Sequence, residues 1–397
     1  MPLRRDWAEM EKTRAILRTD VARFLDRECS RELVARLEED PLGYSPELWR
    51  SMAELGWLGV HIPEEYGGAG AGPEELAVVV ELLGGAALPS PLFASIIEAG
   101  ALIVLAGDDE RRRQWLPALA QGELLMAVAL QEPGPELDLA AIRTRAIPTA
   151  AGYRLWGRKL LVPYAELADK LICVARTGDE AGALGLFLVP RGAPGMQLTR
   201  LRTTNGDPQY VVDFQQVDLP YSSLLGEPGG AGPSLTGMLN EAAALKSAEL
   251  VGIGQRALDL TLEFVKTRVQ FDQPIAKFQA VQFHCADMYG QLEQARTLVA
   301  QALWRLANGK RATRDVSLAK VKASEGIPWL LRMAHQLHGG VGYDANYPLE
   351  TLYRRSMAAQ AAYGSAAWHR KRLATMLREQ PASFRREGSH PFSGIPG

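Results

Sequence analysis

Arg268 lies just past Val265, where the helical spacing of apolar residues ends, and Phe271 and Pro274 follow it. The chain therefore leaves a helix with a guanidinium at its mouth, and that fork of fixed donors can pair with a pyrophosphate in bidentate fashion. Gln279 opens the next helical stretch, and Gln336 closes another just ahead of Gly339-Gly340. Amide side chains beside a glycine pair let backbone N–H groups approach a bound anion closely. Each residue also has a plainer reading, Arg268 as a cation at a helix C-terminus and Gly339-Gly340 as a helix stop. His335 and His338 stand three apart without the Cys or carboxylate partners that would complete a metal set. The chain has no Gly-x-Gly-x-x-Gly between strand and helix, no phosphate loop ending in Gly-Lys-Ser or Gly-Lys-Thr, and no Gly-x-Ser-x-Gly elbow.

Three zones must position these residues. From Asp6 to about Leu125 apolar residues recur at helical spacing, as at Ala15, Leu17, Val21, Phe24 and Leu25 and again at Leu48, Met52, Leu55 and Leu58. Pro63 to Gly70 interrupts them with turn residues, and Gly72-Pro73-Glu74-Glu75 reads as a fresh helix start. From Met126 to Gly232 the texture changes to short apolar runs, Ala127–Leu130, Leu171–Val174, Leu184–Val189 and Tyr210–Phe214, which read as strands of a small antiparallel barrel or sandwich. Long helical patterns then return to about Glu379 and predict a bundle of four or five helices. The resulting expectation is a mainly α chain with a β middle domain: residues 1–125 helical, 126–232 β, 233–380 a helical bundle, and 381–397 a loosely held tail.

Composition narrows the function classes. The 397 residues are 47% apolar and 23% charged with a formal net charge of −2, which argues against a general binder of nucleic acid. Cys29, Cys173 and Cys285 lie too far apart for a short metal spacing and suit a reducing interior. The charged first residues do not read as a secretory signal, and the longest apolar runs fall short of a membrane span. A cytoplasmic protein without membrane insertion is the expectation.

The order of motifs is more specific than any one of them. Arg268-Val269-Gln270-Phe271 with Pro274-Ile275 and Phe278-Gln279, then Ala286-Asp287-Met288, then Gln336-Leu337-His338-Gly339-Gly340-Val341-Gly342-Tyr343, resembles the acyl-CoA dehydrogenase family. The N-terminal Glu54 to Val60 and Ile62 to Gly68 extend the resemblance over residues 5–378. It implies an N-terminal helical domain, a β middle domain and a C-terminal four-helix bundle. It also implies FAD shared between subunits of a homo- or hetero-tetramer, an acyl-CoA substrate, and electron-transfer flavoprotein or a similar electron acceptor. By the same resemblance, Arg268, Gln270, Phe271, Gln279, Gln336, Gly339 and Gly340 meet the cofactor of a neighbouring subunit, and no metal is implied.

The chain departs from the family pattern at the reacting end. Where the family has an aromatic-Glu-Gly-Thr stretch whose Glu removes the α proton of the thioester, this sequence reads Ala362-Tyr363-Gly364-Ser365. The usual Thr-Glu-Pro-x-x-Gly-Ser-Asp appears as Gln131 to Asp138, and Trp-Ile-Thr-Asn as Leu161-Val162-Pro163-Tyr164. Pro163 has no N–H to donate to the flavin. A phenol with a reference pKa of about 10 is a poor base unless its surroundings change it. Some relatives carry the base on the first long helix of the last domain, one position from Glu241, with Glu249 about two turns further along. The segment 343–372 looks like bacterial members that handle sterol side chains and other bulky acyl groups, often as unlike subunits with one base between them. The reading is therefore α,β-dehydrogenation of a fatty or steroid acyl-CoA, with the base on Glu241 or on a partner chain and Tyr363 in the usual Glu position. The alternatives are a flavin-dependent monooxygenase on the same fold and a non-catalytic partner subunit.

Overall fold

A computed structural model describes residues 7–134, 137–180 and 182–379. The tail expected to be loosely held lies outside the described residues, as do Pro135 and Glu136 of the altered middle-domain motif. Six helices open the chain: α1 (Trp7–Glu28), α2 (Arg31–Glu39), α3 (Pro46–Glu54), α4 (Pro73–Gly85), α5 (Ala101–Ala106) and α6 (Asp109–Ala120). Ser30 and Ser45 cap α2 and α3 by accepting from Leu33 N and Leu48 N, each at 3.2 Å. At the expected start of α4, Pro73 takes the first turn and Glu75 accepts from Gly72 N at 2.8 Å. The helical spacing that runs on through Leu55 and Leu58 stops early, because α3 ends at Glu54 and Gly56 follows with φ +77°. Phe93–Gly100, leading directly into α5, is a π-helix, which apolar spacing alone does not foretell.

The middle of the chain forms one open sheet of eight strands: β1 (Met126–Ala129), β2 (Arg145–Thr149), β3 (Gly152–Pro163), β4 (Lys170–Arg176), β5 (Leu184–Pro190), β6 (Met196–Leu201), β7 (Gln209–Pro220) and β8 (Leu224–Leu225). The order β6-β7-β3-β2-β4-β5-β8 is antiparallel except at β2–β4, and β1 adds to β4 in parallel. The path does not close on itself, so among the described residues there is no closed barrel. Alternation along β4 and β5 sends Ile172, Val174, Leu184, Leu186 and Leu188 into the large helical core. Cys173, Ala175, Phe187 and Val189 go to a second core with Tyr153 and Phe214. The sequence runs missed β2, β3 and β6, whose outer faces carry charge. Arg154 and Arg158 of β3 each make a bidentate pair across to β7, with Asp218 and Asp213.

The last zone holds α7 (Gly232–Thr267), a small hairpin of β9 (Val269–Gln270) and β10 (Gln273–Pro274), then α8 (Gln279–Ala307), α9 (Thr313–His338), α10 (Pro348–Ala361) and α11 (Ala366–Glu379). The chain reverses between α7, α8 and α9, so the end of α7, the start of α8 and the end of α9 share one end of the bundle. Phe264 stacks on His338 there, with centroids 4.4 Å apart. At the other side α7 crosses α4 at backbone contact. A Cβ at Gly252 would lie 1.8 Å from Glu81 O, and one at Gly84 would lie 2.6 Å from Glu249 O.

Candidate active site

A cavity of about 840 Å³ opens where the three zones meet, within the range of small-molecule sites. The N-terminal helices contribute Leu83, Phe93 and Glu98, the middle domain contributes Gln131 from the loop after β1 with Leu161 and Pro163 of β3, and the bundle contributes Lys246, Glu249, Arg355 and Tyr363. Cross-domain ties fix these walls. Trp368 Nε1 donates to Leu137 O at 2.8 Å, Arg354 pairs with Glu38 at 2.7 Å, and Arg355 Nη1 reaches Asp207 at 3.3 Å.

Tyr363 sits in the break between α10 and α11 with φ +57°, and Gly364 follows at φ +100°. A Cβ on Gly364 would meet the Trp368 ring at 2.6 Å, so both conformation and space require glycine there. Ser365 caps α11 by accepting from Trp368 N at 3.2 Å. Beneath the break, Lys320 of α9 is fully buried and donates to Ala359 O at 3.2 Å and Gln360 O at 2.9 Å, satisfying the end of α10. Burial, then the charge of Lys246, lowers its ammonium to about 7. His369 contacts Tyr363 O at 3.1 Å and Ser317 Oγ at 3.1 Å, and burial pushes its imidazole down to about 3, so the ring is neutral.

The Tyr363 hydroxyl donates to Glu98 Oε1 at 2.5 Å, and its ring stacks on Phe93 at 6.0 Å between centroids. Lys246 Nζ lies 3.4 Å from the centre of the Phe93 ring and also pairs with Glu249 one turn along α7. Burial pushes the Glu98 carboxyl up to about 7, against the Tyr363 hydrogen bond and the Lys246 charge. Burial, followed by the adjacent Glu98, holds the Tyr363 phenol well above its ordinary range. A carboxyl group near mid-titration at neutral pH thus stands against a phenol in the cavity wall, an arrangement suited to moving a proton.

Glu241 does not line this cavity. It lies on α7 with Oε1 at 2.9 Å from His61 Nε2, tying the N-terminal helices to the bundle. Glu249, the next carboxylate noted on that helix, does line it. Glu98 was missed by the sequence reading. Its one signal is a lone acid inside the apolar stretch from Leu92 to Ala106.

Of the altered middle-domain residues, Gln131, Leu137, Leu161, Pro163 and Tyr164 all face the cavity. Leu161 and Tyr164 take positive φ of 52° and 51° around Pro163, where β3 is irregular against β7. Glu132 holds this wall from behind. It accepts from Arg143 N at 2.6 Å, Thr144 N at 2.9 Å and the fully buried Lys159 Nζ at 2.8 Å. Burial raises the Glu132 carboxyl, but Lys159 and the other donors outweigh it and hold the group below its ordinary value.

Arg268, Gln270, Phe271, Gln279, Gln336, Gly339 and Gly340 gather at the shared end of the bundle, all exposed and none lining the cavity. Phe271, 85% exposed, tips the hairpin with φ +53°. Within the cavity, Gln209 Oε1 and Arg355 Nη2 are buried without hydrogen-bond partners among the described residues. An acceptor and a donor left open there fit a flat heterocycle bearing both N–H and C=O groups, as a flavin ring does. Among the described residues no group of three or more His, Cys, Asp or Glu could hold a metal. No described helix is long and apolar enough to cross a membrane.

Comparison with known proteins accounts for the three-domain architecture. Models of the acyl-CoA dehydrogenase N-terminal, middle and C-terminal domains match residues 11–123, 127–217 and 230–377. A 3-(aryl)acrylate reductase of Clostridium sporogenes is 32% identical over 78% of this chain and 84% of its own length. The probable acyl-CoA dehydrogenase YngJ of Bacillus subtilis is 31% identical over 93% of this chain and 99% of its own. Among solved structures, a Tcur3481-Tcur3483 steroid ACAD variant superposes with a TM-score of 0.85 at 30% identity, covering 94% of this chain and 99% of that one. The chain belongs to the acyl-CoA dehydrogenase family of flavin oxidoreductases.

Proposed function

We propose that this chain is an FAD-dependent acyl-CoA dehydrogenase that introduces an α,β double bond into a bulky acyl thioester. The observation that carries the reading is the three-domain cavity, which places Glu98, Glu249 and Tyr363 around one space of about 840 Å³. A bound flavin supplies the hydride acceptor. Leu161 and Pro163 would give it an apolar wall in which Pro163 has no N–H to donate, and Gln209 Oε1 and Arg355 Nη2 would offer polar contacts in the same space. The exposed Arg268, Gln270, Phe271, Gln279, Gln336, Gly339 and Gly340 would hold the distal part of a cofactor seated on a neighbouring subunit. That subunit is a second copy or an unlike chain within a tetramer. Reoxidation by electron-transfer flavoprotein or a similar acceptor, in the cytoplasm, completes the reading. A bulky acyl group is favoured by the volume and by the steroid ACAD neighbour.

The test is a visible spectrum of the purified chain before and after anaerobic addition of linear, aryl and sterol-derived acyl-CoAs. Bound flavin that bleaches with at least one thioester is the expected result. A protein that holds no flavin, or whose flavin stays oxidised with all of them, overturns the reading. Product that forms only when reduced flavin meets oxygen would assign a monooxygenase instead.

A further inference from the structure

Tyr363 cannot serve alone as a base. A neutral phenol that accepts a proton must give up its own in the same event, and burial beside Glu98 opposes forming the phenolate beforehand. The structure provides the outlet. Tyr363 Oη and Glu98 Oε1 are 2.5 Å apart, both residues line the cavity, and they come from elements 265 positions apart in the chain. Each is held from behind, Tyr363 by the Gly364 turn and its stack on Phe93, and Glu98 by the π-helix that turns its side chain inward. The groups facing Glu98 are the Tyr363 hydroxyl and, from α7, the Lys246 ammonium. Lys246 is itself paired with Glu249.

We propose that Glu98 and Tyr363 act as one proton acceptor, Tyr363 Oη taking the α proton of the acyl thioester while its own proton passes to Glu98 Oε1. This rests on the dehydrogenase reading above. The Cα–H bond breaks, a new O–H bond forms on Tyr363, and the former Tyr363 proton ends on Glu98. The electron pair left on Cα is delocalised into the thioester carbonyl or becomes the double bond as hydride leaves Cβ for oxidised flavin. The substrate is oxidised by two electrons and the flavin is reduced by two. The relay supplies from within this chain the base that the Tyr363 position lacks. Because Glu98 is raised to about 7, it is available as acceptor at neutral pH and above.

The step can be read without turnover. The protein as isolated, with its flavin, is incubated in D2O with octyl- and phenyl-tailed β-thia acyl-CoAs, whose blocked β position prevents hydride loss, and α-deuteration is followed by mass spectrometry. The wild type should exchange, at a rate that rises with pH through about 7. Glu98→Gln and Tyr363→Phe should each lose about 100-fold or more, in line with general base catalysis. The pH dependence should vanish in Glu98→Gln. Unchanged analogue binding and circular dichroism show that the variants are folded, and Glu98→Asp should restore part of the rate. Wild-type exchange in either Glu98→Gln or Tyr363→Phe overturns the relay, as does loss confined to Glu249→Gln. Flavin bleaching by an acyl-CoA without α-exchange in the wild type also overturns it while leaving the dehydrogenase reading intact. The absence of bleaching with every thioester removes that reading and the relay with it.

Discussion

At the scale of residues, the chain carries two carboxyl groups, Glu98 and Glu132, with opposite consequences for pH. Native Glu98 binds a proton up to about 7 whereas an unfolded Glu releases it near 4.5. The native state therefore holds the extra proton between those values, and stability falls as pH rises through that window, by at most about 3 kcal/mol. Glu98→Gln should raise Tm relative to wild type at about pH 8, and the gain should shrink towards about pH 5, as calorimetry at the two pH values would show. Equal differences at both would contradict a buried, proton-binding carboxyl. Glu132 has the reverse sign. Its depressed carboxyl stabilises the fold above the unfolded value, and that contribution is lost on acidification through its native pKa. Glu132→Gln strips the charge partner from the fully buried Lys159 and should cost about 3–5 kcal/mol in denaturant unfolding at neutral pH, whereas Lys159→Met, which leaves no buried cation, should cost less. These residues differ in how legible they were. Tyr363 stood out because a motif surrounds it, and Glu241 stood out for its place along α7, although that helix turns it towards His61. Glu98 has no motif, and its role is visible only once the fold brings it to Tyr363 from another domain.

At the scale of elements, the helices were readable where one face is buried and the other wet, as in α1 and α8, since that pattern follows from the helical repeat itself. The π-helix at Phe93–Gly100 and the charged strands β3 and β6 were not. The first is set by backbone bonding that apolar spacing does not encode. In β3 the alternation is masked by cross-strand ion pairs to β7, and β6 has no buried residue to reveal one. The α4–α7 crossing is another feature that sequence pattern leaves open, because Gly84 and Gly252 read as weak points in a helix rather than as contacts. It fixes the height of Glu249 and Lys246 in the cavity wall. Gly252→Ala would drive a methyl into Glu81 O at 1.8 Å and force the helices apart. The expected cost is about 1–3 kcal/mol or more, seen as a fall in Tm by circular dichroism. Gly290→Ala, on α8 with only the Gln294 side chain as near as 4.0 Å, is the matched control and should be neutral or mildly stabilising. Equal losses in both would show that the crossing is looser than the structure has it.

At the scale of the whole molecule, one end of the bundle is unlike the rest of the surface. Phe271 at 85%, Tyr343 at 71% and Phe283 at 66% exposure stand near Arg268, Gln279 and Gln336, so apolar rings and phosphate-type donors share one face. Large rings held in water cost free energy that a second subunit would recover on burying them, and an Arg beside such a contact suits an anionic cofactor crossing the junction. Assembly and flavin retention are therefore expected to fail together. Phe271→Asp should lower the mass seen by light scattering after size exclusion and also lower the ratio of flavin to protein. Arg268→Ala should lose flavin with less effect on mass, since it removes a donor from the face and no apolar area. The two measurements separate a shared cofactor site from a simple dimer contact. A wild type that runs as a monomer with full flavin would place the whole cofactor within one chain. Loss of mass in Phe271→Asp with flavin fully retained would make the face an assembly surface alone.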